Sequence, residues 1–147
     1  MGRRAGRASS LGSKPGRRGG RRRRSRRRRR SWQVTRQPLR AEIWRLDFDP
    51  TRGHEQAGMR PALVLSVDAF NHSPADLIVV LPVTSRDKGI RSHVPVAPPE
   101  GGLKLPSFIK CEEPRTVSKD RLSGRMGVVT TSTMAEVEAR VRWLLGL

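Results

Sequence analysis

The chain has 147 residues, 35% of them apolar, a formal net charge of +18 and one cysteine, which fits one domain of ordinary size. The charge is unevenly spread: 16 of the 31 Lys and Arg residues fall in positions 1–36, which contain no Asp or Glu, whereas positions 37–147 carry 15 basic against 13 acidic side chains, a net of +2. A basic fold is therefore excluded, and Cys111 alone excludes an internal disulfide or a cysteine-built metal cluster. No apolar run follows the arginines to complete a secretory signal, and no stretch of about 18 apolar residues exists, so a soluble cytoplasmic protein without membrane association is expected.

Residues 1–37 are built of Arg, Gly, Ser and few apolar side chains, too little buried surface to offset chain entropy, and are expected to form a disordered Arg-rich tail. The block 21–30, interrupted only by Ser25, has the composition of a sequence-independent phosphate binder weakened by salt. After Pro38 the character changes, and 38–147 reads as the folded domain.

Ile43-Trp44-Arg45-Leu46-Asp47-Phe48 places Trp44, Leu46 and Phe48 on one side at the two-residue period of a strand. Asp49-Pro50-Thr51-Arg52-Gly53 reads as a turn, followed by a polar loop up to Arg60. Residues 62–67 and 77–81 are short runs rich in β-branched residues, the composition of strands buried on both faces. Between them, 68–76 is a loop or a single helical turn. Further strands are expected at 92–96, 107–111 and 126–129, divided by the Pro98-Pro99-Glu100-Gly101-Gly102 turn and a polar 118–125 segment. Met134, Val137, Val141, Leu144 and Leu145 then recur at helical spacing, and Thr133 with Glu136 matches a capping box, predicting a helix over 133–145 closed by Gly146. The expected fold is mainly β with a C-terminal helix, the strands close enough in sequence for a small barrel.

The loop 53–60 gathers His54, Glu55, Gln56 and Arg60 between two strands and supplies two glycines for tight turns. An Arg beside a buried strand presents a rigid donor fork to a phosphate, or pairs with Glu55 and ties the loop down. Thr84, Ser85 and Arg86, at the end of the second buried strand, offer further phosphate donors or merely cap a turn. The third charged segment, Lys110-Cys111-Glu112-Glu113-Pro114-Arg115-Thr116, is a proton carrier beside cations or a solvated strand face. The three histidines, His54, His72 and His93, lack metal-site spacing, and neither a Gly-rich phosphate loop nor a Gly-x-Ser-x-Gly elbow is present, so no metal or cofactor is expected.

Over 40–147 the chain resembles the MazF/PemK (Kid) toxins of type II toxin–antitoxin systems, through Glu42-Ile43-Trp44, the 48–58 loop, Arg60-Pro61, Pro82-Val83-Thr84-Ser85 and 111–116. The resemblance implies a small SH3-like β-barrel of the MazF/CcdB type, homodimeric and neutralised by a MazE/PemI-like antitoxin, meeting DNA only through the antitoxin complex. It implies an mRNA interferase: a sequence-specific, metal-independent endoribonuclease that inhibits translation and growth. Single-stranded RNA is cut by attack of its own 2′-hydroxyl, leaving 2′,3′-cyclic phosphate and 5′-hydroxyl ends. Carried over by position, Arg60 stabilises the pentavalent phosphate or donates a proton, Thr84 hydrogen-bonds a phosphate oxygen, and His54 and Glu112 complete the catalytic set. Glu55, Gln56, Ser85, Arg86, Lys110 and Arg115 would bind RNA. The chain departs from the Kid branch where Lys110, Glu112 and Glu113 replace Arg, Asp and Gln; the extra methylene moves the carboxylate, and a ~1 Å misplacement costs ~100-fold in rate. Family members also begin close to the 41–44 strand, so Val34 or Leu39 is an alternative initiation position.

Two readings of other classes remain. A non-catalytic CcdB-like toxin on the same barrel would bind a protein target such as gyrase, but would not share the phosphate-directed set around Arg60. A basic nucleic-acid-binding protein would act through the tail and would not cut RNA.

Overall fold

The computed structural model describes residues 12, 37–49, 53–55 and 58–147, so all but Gly12 and Gln37 of the expected tail lie outside the described residues. Seven strands and two helices follow in chain order: β1 (Glu42–Asp47), β2 (Met59–Val64), α1 (Asp68–Asn71), β3 (Leu77–Thr84), β4 (His93–Val96), β5 (Ser107–Lys110), β6 (Arg115–Ser118), β7 (Leu122–Val128) and α2 (Thr131–Leu145). All pairings are antiparallel, in the order β4-β5-β3-β2-β1-β7. On its edge away from β2, β3 is shared, pairing with β6 through 77–80 and with β5 through 83–84.

The long apolar runs have the physical reason their composition suggests: both faces of the β1–β2–β3 layer are covered. Trp44, Leu46, Phe48, Ala62, Val64, Ile78 and Val80 join Val117 and Leu122 in one cluster. The alternate positions Ile43, Leu63, Leu81 and Val83 join Val94, Ile109 and the α2 residues Met134 and Val137 in the other. A strand side chain points to the opposite face from its neighbour, so sequences with no polar alternation need two cores.

The hydrogen-bonded path ends at β4 and β7 rather than closing. The turn Glu100–Gly102, on the connection from β4 to β5, packs instead against β7. A Cβ on Gly102 would lie 2.0 Å from the Met126 carbonyl oxygen, and one on Gly127 would lie 2.5 Å from the Gly101 carbonyl carbon. Only glycines permit that approach, and Gly101 and Gly102 also adopt φ of 67° and 70°. The barrel is thus completed by a turn seated on a strand.

Several boundaries differ from expectation. β2 begins at Met59, which puts Arg60 in a strand rather than a loop. β6 overlaps the end of the 110–116 segment read as an alternation of charges, and β7 begins at Leu122, inside the stretch taken as polar linker. Short edge strands with charged outward positions carry little apolar signal. The helix begins at Thr131 with Thr130 as its N-cap, so Thr133 is not the cap: its N–H donates to Thr130 Oγ1 at 3.1 Å. The partner expected from Glu136 comes from Glu100, whose carboxylate accepts from Thr130 N at 2.8 Å and Thr133 Oγ1 at 2.6 Å. Only the first half of the expected apolar face is covered, since Leu144 and Leu145 are exposed. Gly146 ends α2 in the left-handed conformation, as expected.

Burial raises the Glu100 pKa, but hydrogen bonds from the Thr133 side chain and from the backbone and side chain of Thr130 outweigh it, leaving a net lowering from 4.5. A carboxyl whose folded value is depressed contributes stability above its unfolded value, and loses it as pH falls through the folded one. Glu100→Gln should therefore cost about 1 kcal/mol at pH 7, the usual scale of a helix-capping interaction. The difference should shrink below pH 4; urea unfolding of both proteins at pH 7 and pH 3 measures it, and a gap of equal size at both would contradict the assignment.

Candidate active site

The pairing of β2 with β3 sets Ala62 against Pro82, Leu63 against Leu81 and Val64 against Val80. The bonded pairing stops at Ala62 and Pro82, so Arg60 and Thr84 lie two positions beyond it at the same end of the strand pair. Both line one cleft there. Thr84 also faces Phe108 on β5, and Lys110 lies two residues further along the same face.

Arg60, Thr84 and Lys110 line one cleft of about 740 Å³, together with His54, Glu55, Ser85 and Arg86. Its walls also include Arg45, Lys88, Lys104 and Leu105, none of which the sequence singled out. Arg45 sits at an outward strand position, and the direction in which a Gly-Gly turn sends Lys104 cannot be read from spacing. Six Lys or Arg side chains against one carboxylate, Glu55, give the cleft the charge of a polyanion site although the domain itself is close to neutral. Lys110 is nearly buried and its Nζ lies 3.0 Å from Glu113 Oε1, so that cation is partly engaged by its own turn.

The first loop is held at its neck. Phe48 N donates to the Gly58 carbonyl at 3.0 Å and Gly58 N to Asp49 Oδ1 at 3.1 Å. Gly53 and Gly58 adopt φ of 62° and 74°, which side-chain-bearing residues rarely do. Gln56 lies outside the described residues. Arg115 is not part of the cleft wall: Nη1 donates to the Phe48 carbonyl at 2.8 Å and the guanidinium lies 5.7 Å from the centre of the Phe48 ring. It supports the loop from behind.

Glu112 follows the cleft-lining Lys110 by two residues and is held by β4. Ser92 Oγ donates to its Oε2 at 2.8 Å, and His93 Nε2 lies 2.7 Å from Oε1. Burial raises the Glu112 pKa, but its own backbone N–H, the His93 and Ser92 hydrogen bonds and the His93 charge together bring it below its ordinary value. An ionised carboxylate can only accept, which assigns the proton of the contact to His93 Nε2. His93 Nδ1 is buried with no partner among the described residues. The grip of β4 on the β5–β6 turn was not visible in sequence, because Ser92 and Glu112 are separated by 20 residues. Cys111 beside it is buried, and that burial, reinforced by Glu112 and opposed by Arg140, pushes its thiol up to about 12. It is therefore a protonated packing residue rather than a nucleophile. No group of three or more His, Cys, Asp or Glu side chains is placed to hold a metal among the described residues.

Comparison with known proteins places the chain in a family. Residues 39–145 match the family model described as PemK-like, MazF-like toxin of type II toxin–antitoxin system. The chain is 38% identical over 108 residues to the endoribonuclease PemK of Escherichia coli, covering 72% of this chain and 80% of that protein. It is 33% identical over 113 residues to the endoribonuclease MazF9 of Mycobacterium tuberculosis, covering 74% and 96%. Among solved structures, MazF of Deinococcus radiodurans superposes with a TM-score of 0.69 at 32% identity, over 76% of this chain and 99% of that one. An endoribonuclease from a mycobacterial species, in complex with its cognate antitoxin, superposes with a TM-score of 0.63 at 27% identity, over 75% and 96%. With the family model spanning nearly all of the described fold and two relatives above 30% identity, the chain belongs to the PemK-like, MazF-like toxin family of type II toxin–antitoxin systems.

Proposed function

We propose that residues 38–147 form a sequence-specific endoribonuclease, the toxin of a type II toxin–antitoxin pair, with residues 1–37 an Arg-rich extension outside the catalytic domain. The observation that carries this is that Arg60 and Thr84, at the same end of β2 and β3, line one cationic cleft. Relatives at 38% and 33% identity are named endoribonucleases. The cytoplasm is the compartment of such a protein; among the described residues no helix is long and apolar enough to cross a membrane.

Single-stranded RNA lies in the cleft with the scissile phosphate between Arg60 and Thr84. The 2′-hydroxyl of the preceding ribose attacks the phosphorus and loses its proton. The 5′-oxygen leaves and takes a proton, so the products are a 2′,3′-cyclic phosphate and a free 5′-hydroxyl. The nucleophile belongs to the substrate, so no metal-activated water is required. Arg60 meets the charge that grows on the phosphate oxygens with a planar donor fork, a contact that strengthens in the transition state. Thr84 donates its hydroxyl to one of those oxygens, and Arg86 N, which donates to Thr84 Oγ1 at 3.2 Å, keeps that oxygen oriented. Proton transfer falls to His54, with Glu55 beside it in the same cleft. Ser85, Arg86 and Lys110 bind the flanking RNA, and Gln56 extends the first loop. Glu112, fastened by Ser92 and His93 outside the cleft wall, and Arg115, bonded to the Phe48 carbonyl, act by holding the two loops in place.

The active toxin is a homodimer, controlled by a MazE/PemI-like antitoxin through which it meets DNA. Trp143, Leu144, Leu145 and Leu147 leave an apolar end of α2 exposed on the single chain, which supports association with another chain there.

Arg60→Ala should reduce cleavage of single-stranded RNA by about 100-fold or more, the usual scale for one transition-state donor, while circular dichroism stays that of the parent. A folded variant that still cuts at the parental rate would remove Arg60 from the mechanism. For Glu112→Gln the expected rate lies within about tenfold of the parent, because general acid–base catalysis is worth about 100-fold or more and is assigned elsewhere. A loss beyond 100-fold in single-turnover cleavage would return the base to Glu112. Mapping the 5′ ends on total RNA establishes the cut sequence and tests the 5′-hydroxyl product.

A further inference from the structure

We propose that Lys104 and Leu105 form a nucleotide subsite beside the scissile phosphate, in which Leu105 packs on a nucleobase and Lys104 with Arg45 holds a flanking phosphate, so that Leu105 helps to select the sequence cut. The proposal rests on the endoribonuclease function argued above.

A lone exposed leucine is ordinary on a protein surface, and Leu105 at 61% exposure would need no explanation by itself. Its setting differs from that bland case in two respects. First, the turn that carries it is anchored on both sides. Upstream, Gly101 and Gly102 sit directly on the β7 backbone, Glu100 is bonded to the first turn of α2, and Leu103 is buried in the core. Downstream, Ser107 Oγ donates to the Leu105 carbonyl at 2.8 Å and Ser107 begins β5. A short exposed tip fixed at both ends loses little conformational freedom when it meets a ligand.

Second, the tip is a wall of the same cleft that holds Arg60 and Thr84. Lys104 precedes Leu105, and Arg45, an outward residue of β1, lines the cleft as well. A volume of about 740 Å³ is far more than one phosphate needs, and the function proposed above gives Arg45 and Lys104 no role in the chemical step. Single-stranded nucleic acid presents alternating apolar base faces and charged phosphates, and proteins that hold it pair apolar side chains with cations in the same alternation. Lys104 followed by Leu105 supplies one unit of that pattern on a rigid support. The phosphate contact adds affinity without sequence information, whereas packing on a base depends on its size and shape.

The test uses the full chain and short single-stranded RNAs containing the mapped cut sequence, each changed at one base beside the cut. Leu105→Ala should change the ratio of kcat/KM between those RNAs by about fivefold or more at one position, and shift the distribution of cut sites on total RNA; loss of a few methylene contacts discriminates on about this scale. Lys104→Gln should instead raise KM for all of them alike and reduce the slope of log KM against log salt by about one. Leu105→Phe, which enlarges the apolar surface at an exposed position, should alter the same base preference. Cleavage by the parent with unchanged ratios in both Leu105 variants would overturn the subsite while leaving the endoribonuclease standing. Absence of cleavage by the parent would overturn both.

Discussion

Two apolar cores on opposite faces of β2 and β3 fix the register between these strands, and the candidate site depends on that register. Leu63 and Leu81 face one core, Ala62, Val64 and Val80 the other, so a slip of one residue would exchange every side chain between two differently shaped clusters. Arg60 and Thr84 lie two positions beyond the last bonded pair, and both line the cleft. Burial of apolar residues several positions away thus anchors the strands that carry them.

The loops around this strand pair are held by backbone contacts rather than by apolar mass. Hydrogen bonds between Phe48, Asp49 and Gly58 close the neck of the first loop, and Arg115 reaches the Phe48 carbonyl from β6. Ser92 and His93 hold both oxygens of Glu112 and so tie the β5–β6 turn to the start of β4. On the far side, glycines bring the 100–103 turn onto β7, and the same turn sends Glu100 to cap α2. Most of these attachments join residues distant in sequence. Lys110 serves on both sides, paired with Glu113 while lining the cleft.

This division explains what could be read from the sequence. The buried strands were legible because both of their faces are apolar, and the helix because Met134 and Val137 keep its period. The first loop, Arg60 and Thr84 stood out through their position at strand ends and through family resemblance. Glu112 and Arg115 carried the same resemblance, yet their surroundings depend on Ser92, His93 and Phe48, whose proximity follows from sheet pairing across 19 to 67 residues. Local spacing holds no signal for such contacts. The helix cap shows the same limit: spacing points to Thr133 as the cap, whereas Thr130 holds that position and the supporting carboxylate, Glu100, lies 30 residues from it on another turn. β6 and the first part of β7 were missed because residues there alternate between a partly covered face and water, leaving few apolar positions to count.

Charge is arranged on the same principle. Positions 37–147 carry a net of only +2, yet six cations converge on one cleft. With acidic side chains such as Glu138 and Glu42 engaged in pairs elsewhere, the positive potential is concentrated where low-dielectric walls reinforce it. Attraction from such a patch acts over about a Debye length, ~8 Å at physiological salt, so it retains a strand already near the cleft rather than gathering RNA from afar. The 16 basic residues of positions 1–36 add a second source of phosphate attraction, one that carries no sequence information and weakens with salt.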